Sequence, residues 1–164
     1  MEPAERDAAY AKEALEKATP NYYKIIIEIG CTRTSEELLA IKRSCQFLYK
    51  HSLEEDVASH TFGDIRRVYD FFMQLLVAIV STYRYEGHVI DESGGILEAN
   101  IIHQIIEKKD FSNDEIIRIL STRSKKQLCV TFNSFRNIYG STITKVMLAL
   151  VVILFFKHST RKII

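Results

Sequence analysis

Apolar residues return at helical spacing along most of this chain. Leu38, Ile41, Cys45 and Leu48 follow one another at three- and four-residue steps, as do positions Leu128, Thr131, Phe135 and Ile138. Leu97, Ile101, Ile102, Ile105 and Ile106 mark a further helix by the same rule. The helix starts are written in the polar residues. Thr34-Ser35-Glu36-Glu37, Ser52-Leu53-Glu54-Glu55, Ser112-Asn113-Asp114-Glu115 and Ser124-Lys125-Lys126-Gln127 all have the S/T-x-x-E/Q form of a capping box. Ala4 to Lys17 is rich in helix formers, with Pro3 at an N1-like position and Thr19-Pro20 as the stop. Ser52 opens a short helix running to His60, and a long apolar helix is expected from Ile65 to Tyr83. Tyr85 to Gly95 holds three of the six glycines and reads as a linker.

Self-similarity organises these elements. Thr32-Arg33 superposes on Thr122-Arg123, 90 positions later. At that offset Ile26, Ile27 and Ile29 meet Ile116, Ile117 and Ile119, and Leu38, Ser44 and Tyr49 meet Leu128, Ser134 and Tyr139. Each copy holds a short apolar helix ending in Thr-Arg, then a longer amphipathic helix ending at a Tyr. The expectation is an all-α chain of two helical repeats, the first with five helices, the second with three and then a divergent tail. The units are residues 2–84, a linker at 85–95, a partial repeat at 96–145 and an apolar tail at 146–164.

Composition narrows the function. A net charge of +1 with 26% charged residues argues against the concentrated basic face that nucleic-acid binding needs. Cys31, Cys45 and Cys129 lack CxxC spacing and are odd in number, which fits reduced cytosolic thiols. The acidic start, Met1 to Asp7, has no apolar signal region. Val146 to Phe156 is an apolar run of eleven residues, shorter than the roughly 17–25 needed to cross a bilayer. A buried core helix and an interfacial segment are its two readings. His51, His60, His88, His103 and His158 form no HExxH pair, and no phosphate loop or Ser-His-Asp set is present, so no enzyme is expected.

The wording of several segments resembles the annexin family, the plant type in particular. Cys31-Thr32-Arg33-Thr34-Ser35-Glu36-Glu37-Leu38-Leu39, Tyr49 to Ala58 and Ser81 to Gly87 look like a plant annexin second repeat, and Ile116 to Lys126 resembles the third. The likeness covers about residues 2 to 145. It implies five-helix repeats, calcium-dependent binding to acidic phospholipid surfaces and a cytoplasmic, peripherally membrane-associated protein, here as a partial chain. In the family, calcium sits in a Gly-rich loop between the first two helices, with a distant acidic side chain completing about six to eight oxygens. Neither copy has that loop. The first reads Lys17-Ala18-Thr19-Pro20-Asn21, with His60 at the acidic position; the second reads Lys108-Lys109-Asp110-Phe111-Ser112-Asn113. The resemblance thus implies calcium as cofactor while leaving no intact metal site.

Two departures stand out. Val68 to Gln74 looks like an insertion of seven residues, either lengthening a helix by nearly two turns or representing retained non-coding sequence. The tail replaces the expected last two helices. Arg33 and Arg123 are read as structural. In the first copy the expected partners are Glu54, Glu55 and Asp56; the offset puts Thr144, Lys145 and Val146 there in the second, so Arg123 is expected to lack a local partner. Ile117-Arg118-Ile119 resembles a tripeptide linked with actin in plant annexins, and buried alternation explains it equally. Cys31 and Cys129 are expected in apolar packing. Three functions remain open: a partial calcium- and lipid-linked annexin, a helical scaffold pairing with intact annexins, and a degraded gene product.

Overall fold

The computed structural model describes residues 2–17, 22–59, 66–81, 83–110 and 113–146. Among these residues the helices run in order α1 (Pro3–Glu16), α2 (Tyr22–Thr32), α3 (Ser35–Tyr49), α4 (Leu53–Ser59), α5 (Arg66–Ser81), α6 (Glu92–Lys108), α7 (Asp114–Thr122) and α8 (Lys125–Tyr139). Among the described residues all regular secondary structure is helical.

Local chemistry explains the boundaries. At α3 the Thr34 hydroxyl accepts from the Glu37 amide (3.2 Å) and the Glu37 carboxylate accepts from the Thr34 amide (2.8 Å). Ser52 and Glu55 repeat this exchange ahead of α4 (3.1 and 3.2 Å). At α8 only half of the expected box forms. The Ser124 hydroxyl accepts from the Gln127 amide, while the Gln127 side chain turns to both backbone polar groups of Asp91 (2.9 and 2.8 Å). At α7 the cap is Asn113, whose side chain accepts from the Glu115 amide, one position later than the box spacing expects. The linker is also shorter than its glycines suggest. Asp91 caps α6, placing Gly94 and Gly95 in its first turn, because a Cβ on Gly95 would stand 2.7 Å from Val130 of α8.

Two hydrophobic clusters form, one per repeat. The first gathers Ala8, Ala11, Leu15, Ile26, Ile41, Leu53 and Val57; the second gathers Ala99, Ile102, Ile106, Ile116, Ile119 and Phe135. Helix α5 serves both. Its Met73, Leu76 and Val80 enter the first cluster, while Phe71 enters the second with Leu75 beside it. Residues 68–74 therefore lie inside a continuous helix, and the segment reading as an insertion supplies core side chains to both repeats. Val146 packs on the second cluster; the remainder of the apolar run, 147–156, lies outside the described residues. Among the described residues, no helix is long and apolar enough to cross a membrane.

The two copies also differ at one matched helix end. Gly140 closes α8 at φ 70°, and Lys50, 90 positions earlier, closes α3 at φ 63°. A side chain in this left-handed conformation is disfavoured by about 1 kcal/mol, which glycine avoids. Lys50→Gly should gain about 0.5 kcal/mol in urea unfolding, allowing for the lost bond from Lys50 Nζ to the Phe47 carbonyl, whereas Gly140→Lys should lose stability. A second expectation concerns acid. The Thr34 backbone and hydroxyl bonds hold the Glu37 carboxyl below its ordinary value of 4.5. A depressed carboxyl stabilises the fold fully above that value and loses this contribution as pH falls through its folded pKa. The stability gap between wild type and Glu37→Ala should thus be open at neutral pH and shrink in acid; a gap constant with pH would contradict the capping role.

Candidate functional site

Each short helix α2 and α7 ends in the same device. Thr32 and Thr122 donate their hydroxyls to the carbonyls of Glu28 and Arg118, both at 2.6 Å, and the amides of Arg33 and Arg123 close the last turn at 3.3 Å. Each arginine then reaches the first helix of its own repeat. Arg33 Nε donates to Asp7 of α1 at 2.6 Å, and Arg123 Nε donates to Glu98 of α6 at 2.5 Å. Both carboxylates are buried, at 6% and 7% side-chain exposure, so each arginine neutralises a charge largely removed from water. The bond to Asp7 raises the Arg33 pKa above its ordinary value. Glu98 accepts a second bond from the buried Thr131 hydroxyl at 2.8 Å.

This geometry corrects the expected partners. Asp56 meets Lys12 at 3.5 Å and Glu54 meets Lys42, while Glu55 is used in the cap of α4. The partner of Arg33 lies upstream because α1 crosses the end of α2. Arg123 is likewise paired, again upstream, rather than left alone. A sequence signal for both existed. Asp7, Ala8, Ala11, Ala14 and Leu15 are the buried positions of α1; Glu98, Ala99, Ile102, Ile105 and Ile106 repeat them 91 positions later in α6. An offset of 90, set by the later helices, slides this match by one residue and hides it.

The junctions between the first and second helices are where the resemblance places calcium. Ala18 to Asn21, Phe111, Ser112 and His60 lie outside the described residues. Lys17, at the edge of the first junction, pairs with Glu13. At the second, Lys109 takes a left-handed conformation (φ 55°) and its amide, with that of Asp110, bonds back to the carbonyls of Ile105 and Ile106. The Asp110 carboxylate accepts from the Asn113 side chain at 3.0 Å, and the nearby Glu115 carboxylate is held by Arg118 at 2.7 Å. A hard cation needs about six to eight converging oxygens. Here the carbonyls satisfy amides, both carboxylates have partners, and the ammonium-bearing Lys108 lines the same cavity of about 200 Å³. The described residues do not fit a calcium shell.

The remaining candidates fall as follows. Of Ile117-Arg118-Ile119, Ile119 is fully buried and Ile117 packs on the second cluster, leaving Arg118 as the exposed member. Of the thiols, Cys129 departs from expectation and is exposed, Cys31 is half-buried, and Cys45 is buried, its thiol pushed up to about 11 by desolvation. Helical period places Cys129 on the outer face of α8, a quarter turn from Leu128. His103 stacks on Tyr139, with ring centroids 3.7 Å apart. Among the described residues no three His, Cys, Asp or Glu side chains gather as a metal cluster. The sequence reading gives no role to Arg84, at the end of the first repeat, or to Glu86 in the linker, although both make specific bonds to helix ends.

Arg33→Ala and Arg123→Ala should each destabilise the chain by about 1–3 kcal/mol, to similar extents, because each strands a buried carboxylate while the arginine itself is partly solvated. Urea unfolding of the two variants checks this. A near-zero loss for Arg123→Ala beside a full loss for Arg33→Ala would contradict the shared device.

Comparison with known proteins agrees with this architecture. The family model described as Annexin matches residues 6–69 and 98–148, leaving unmatched the later part of α5, the linker and the start of α6. Annexin-like protein RJ4 of Fragaria ananassa is 51% identical over 148 residues, covering 90% of this chain and 45% of that protein. Annexin D7 of Arabidopsis thaliana is 46% identical over 145 residues, covering 88% and 43%. Among solved structures, annexin III superposes with a TM-score of 0.76 at 31% identity, over 91% of this chain and 44% of its own. The chain thus spans a little under half the length of these relatives. With the family model covering most of both repeats and the fold shared, this chain belongs to the annexin family.

Proposed function

We propose that this chain is a non-enzymatic annexin platform of two repeats, acting peripherally at acidic phospholipid surfaces on the cytoplasmic side. Family membership implies calcium-dependent phospholipid binding. The chain's own contribution to calcium is weak, and tight attachment comes from further annexin repeats, in the same polypeptide or in partner annexins. The observation that supports this reading is at the second junction, where the Lys109 and Asp110 amides bond back onto α6 and the Asp110 carboxylate accepts from Asn113. The units are residues 2–84, a linker and 96–145, with 146–164 as a separate tail.

Sedimentation with vesicles of phosphatidylserine and phosphatidylcholine tests it. The chain alone should stay largely in the supernatant in millimolar calcium. Adding a full-length plant annexin should bring it down with the vesicles, and chelation should release both. Full calcium-dependent pelleting of the chain alone would contradict the reading, as would failure to pellet when the second annexin does.

A further inference from the structure

We propose that the linker segment 83–90 is a two-ended clasp that sets the rotation of one repeat against the other, with Arg84 and Glu86 as its positioning residues. At one end the Arg84 guanidinium donates to the carbonyls of Arg123 (2.6 Å) and Leu120 (2.8 Å), the free end of α7. The neighbouring Tyr85 amide donates to the Thr122 carbonyl at 3.1 Å. At the other end the Glu86 carboxylate accepts from the Ser35 amide at 2.6 Å, on the first residue of α3. The Ser35 hydroxyl returns a bond to the Arg84 carbonyl at 2.9 Å.

The charges match their seats. Helix ends carry partial charges, positive at the N-terminus and negative at the C-terminus, so a carboxylate belongs on α3 and a guanidinium on α7. Arg84 is half-buried and its ordinary pKa is pulled down by desolvation. Its planar fork meets carbonyl oxygens instead of a carboxylate, which makes its seat dependent on two adjacent carbonyls held in register. A displaced α7 end strands this cation.

The spacing makes the two ends one unit. Only Tyr85 separates Arg84 from Glu86, yet the Arg84 side chain bonds to the second repeat and the Glu86 side chain to the first, with no slack between them. The Tyr85 ring folds back over Gly87, where a Cβ would lie 1.9 Å from the Tyr85 hydroxyl. One further tie between the repeats runs in parallel, from Lys125 Nζ to the Thr32 carbonyl at 3.3 Å. Rotation of the repeats must break at least one end of the clasp.

Residue-resolved hydrogen exchange on the full chain separates a clasp from two independent caps. Arg84→Met removes a group that touches only α7 by its side chain, yet it should raise exchange at the Ser35 amide of α3 about ten-fold. Glu86→Ala should in turn raise exchange at the Tyr85 amide, which is bonded to α7, by a similar factor. Loss of protection confined to the helix end that each side chain touches would overturn the proposal, and so would unchanged exchange in both. Should Arg84→Met fail to fold, the exposed Glu86→Ala decides alone.

Discussion

The fold turns on a carboxylate buried in the first helix of each repeat and the arginine that ends the second. Asp7 and Glu98 sit on the apolar stripes of α1 and α6, where an unpaired charge is strongly disfavoured. Arg33 and Arg123 meet them only if α2 and α7 end where they do, with Thr32 and Thr122 bonding back to close the last turn. One ion pair therefore fixes the length of the second helix, its crossing with the first and the start of the third. Thr34 and Ser124 follow directly and cap α3 and α8. The same geometry appears twice, which explains how two sequences of limited similarity build one repeat.

Between these two cores, α5 acts as a shared wall and the linker as a tie. Phe71 and Met73 face different clusters from within one helix, so this part of α5 packs against both repeats. A seven-residue segment spans nearly two helical turns, so apolar positions on either side of it share a face. The family model loses its match across this stretch while the helix itself continues. At the second junction Lys109 closes the end of α6 and Asn113 caps α7, and neither residue takes part in the arginine pairs.

Much of this was legible in the residues. The S/T-x-x-E/Q starts at Thr34 and Ser52 form as written, since both partners lie within one turn and nothing competes for them. Gln127 departs because a tertiary partner, Asp91, offers it two bonds in place of one. The ion pairs were misassigned for a similar reason. The carboxylates lie 26 and 25 residues upstream of their arginines, and this one-residue difference in spacing shifts the repeat offset. Glycine composition overstates the linker, as Gly95 allows close packing on α8 and Gly94 lies against the Asp91 cap. Exposure of Cys129 follows from the rotation of α8, which its polar neighbours Lys125 and Lys126 already indicate.

The central claim is that an annexin scaffold persists here while the described residues of the second junction do not offer the oxygen shell that calcium requires. Calcium titration calorimetry on the chain in vesicle-free buffer tests it most directly. The account predicts only weak, unsaturated heats up to about 10⁻³ M calcium, the weak end of the range seen for protein calcium sites. A saturable site with a dissociation constant near 10⁻⁶ M would contradict it.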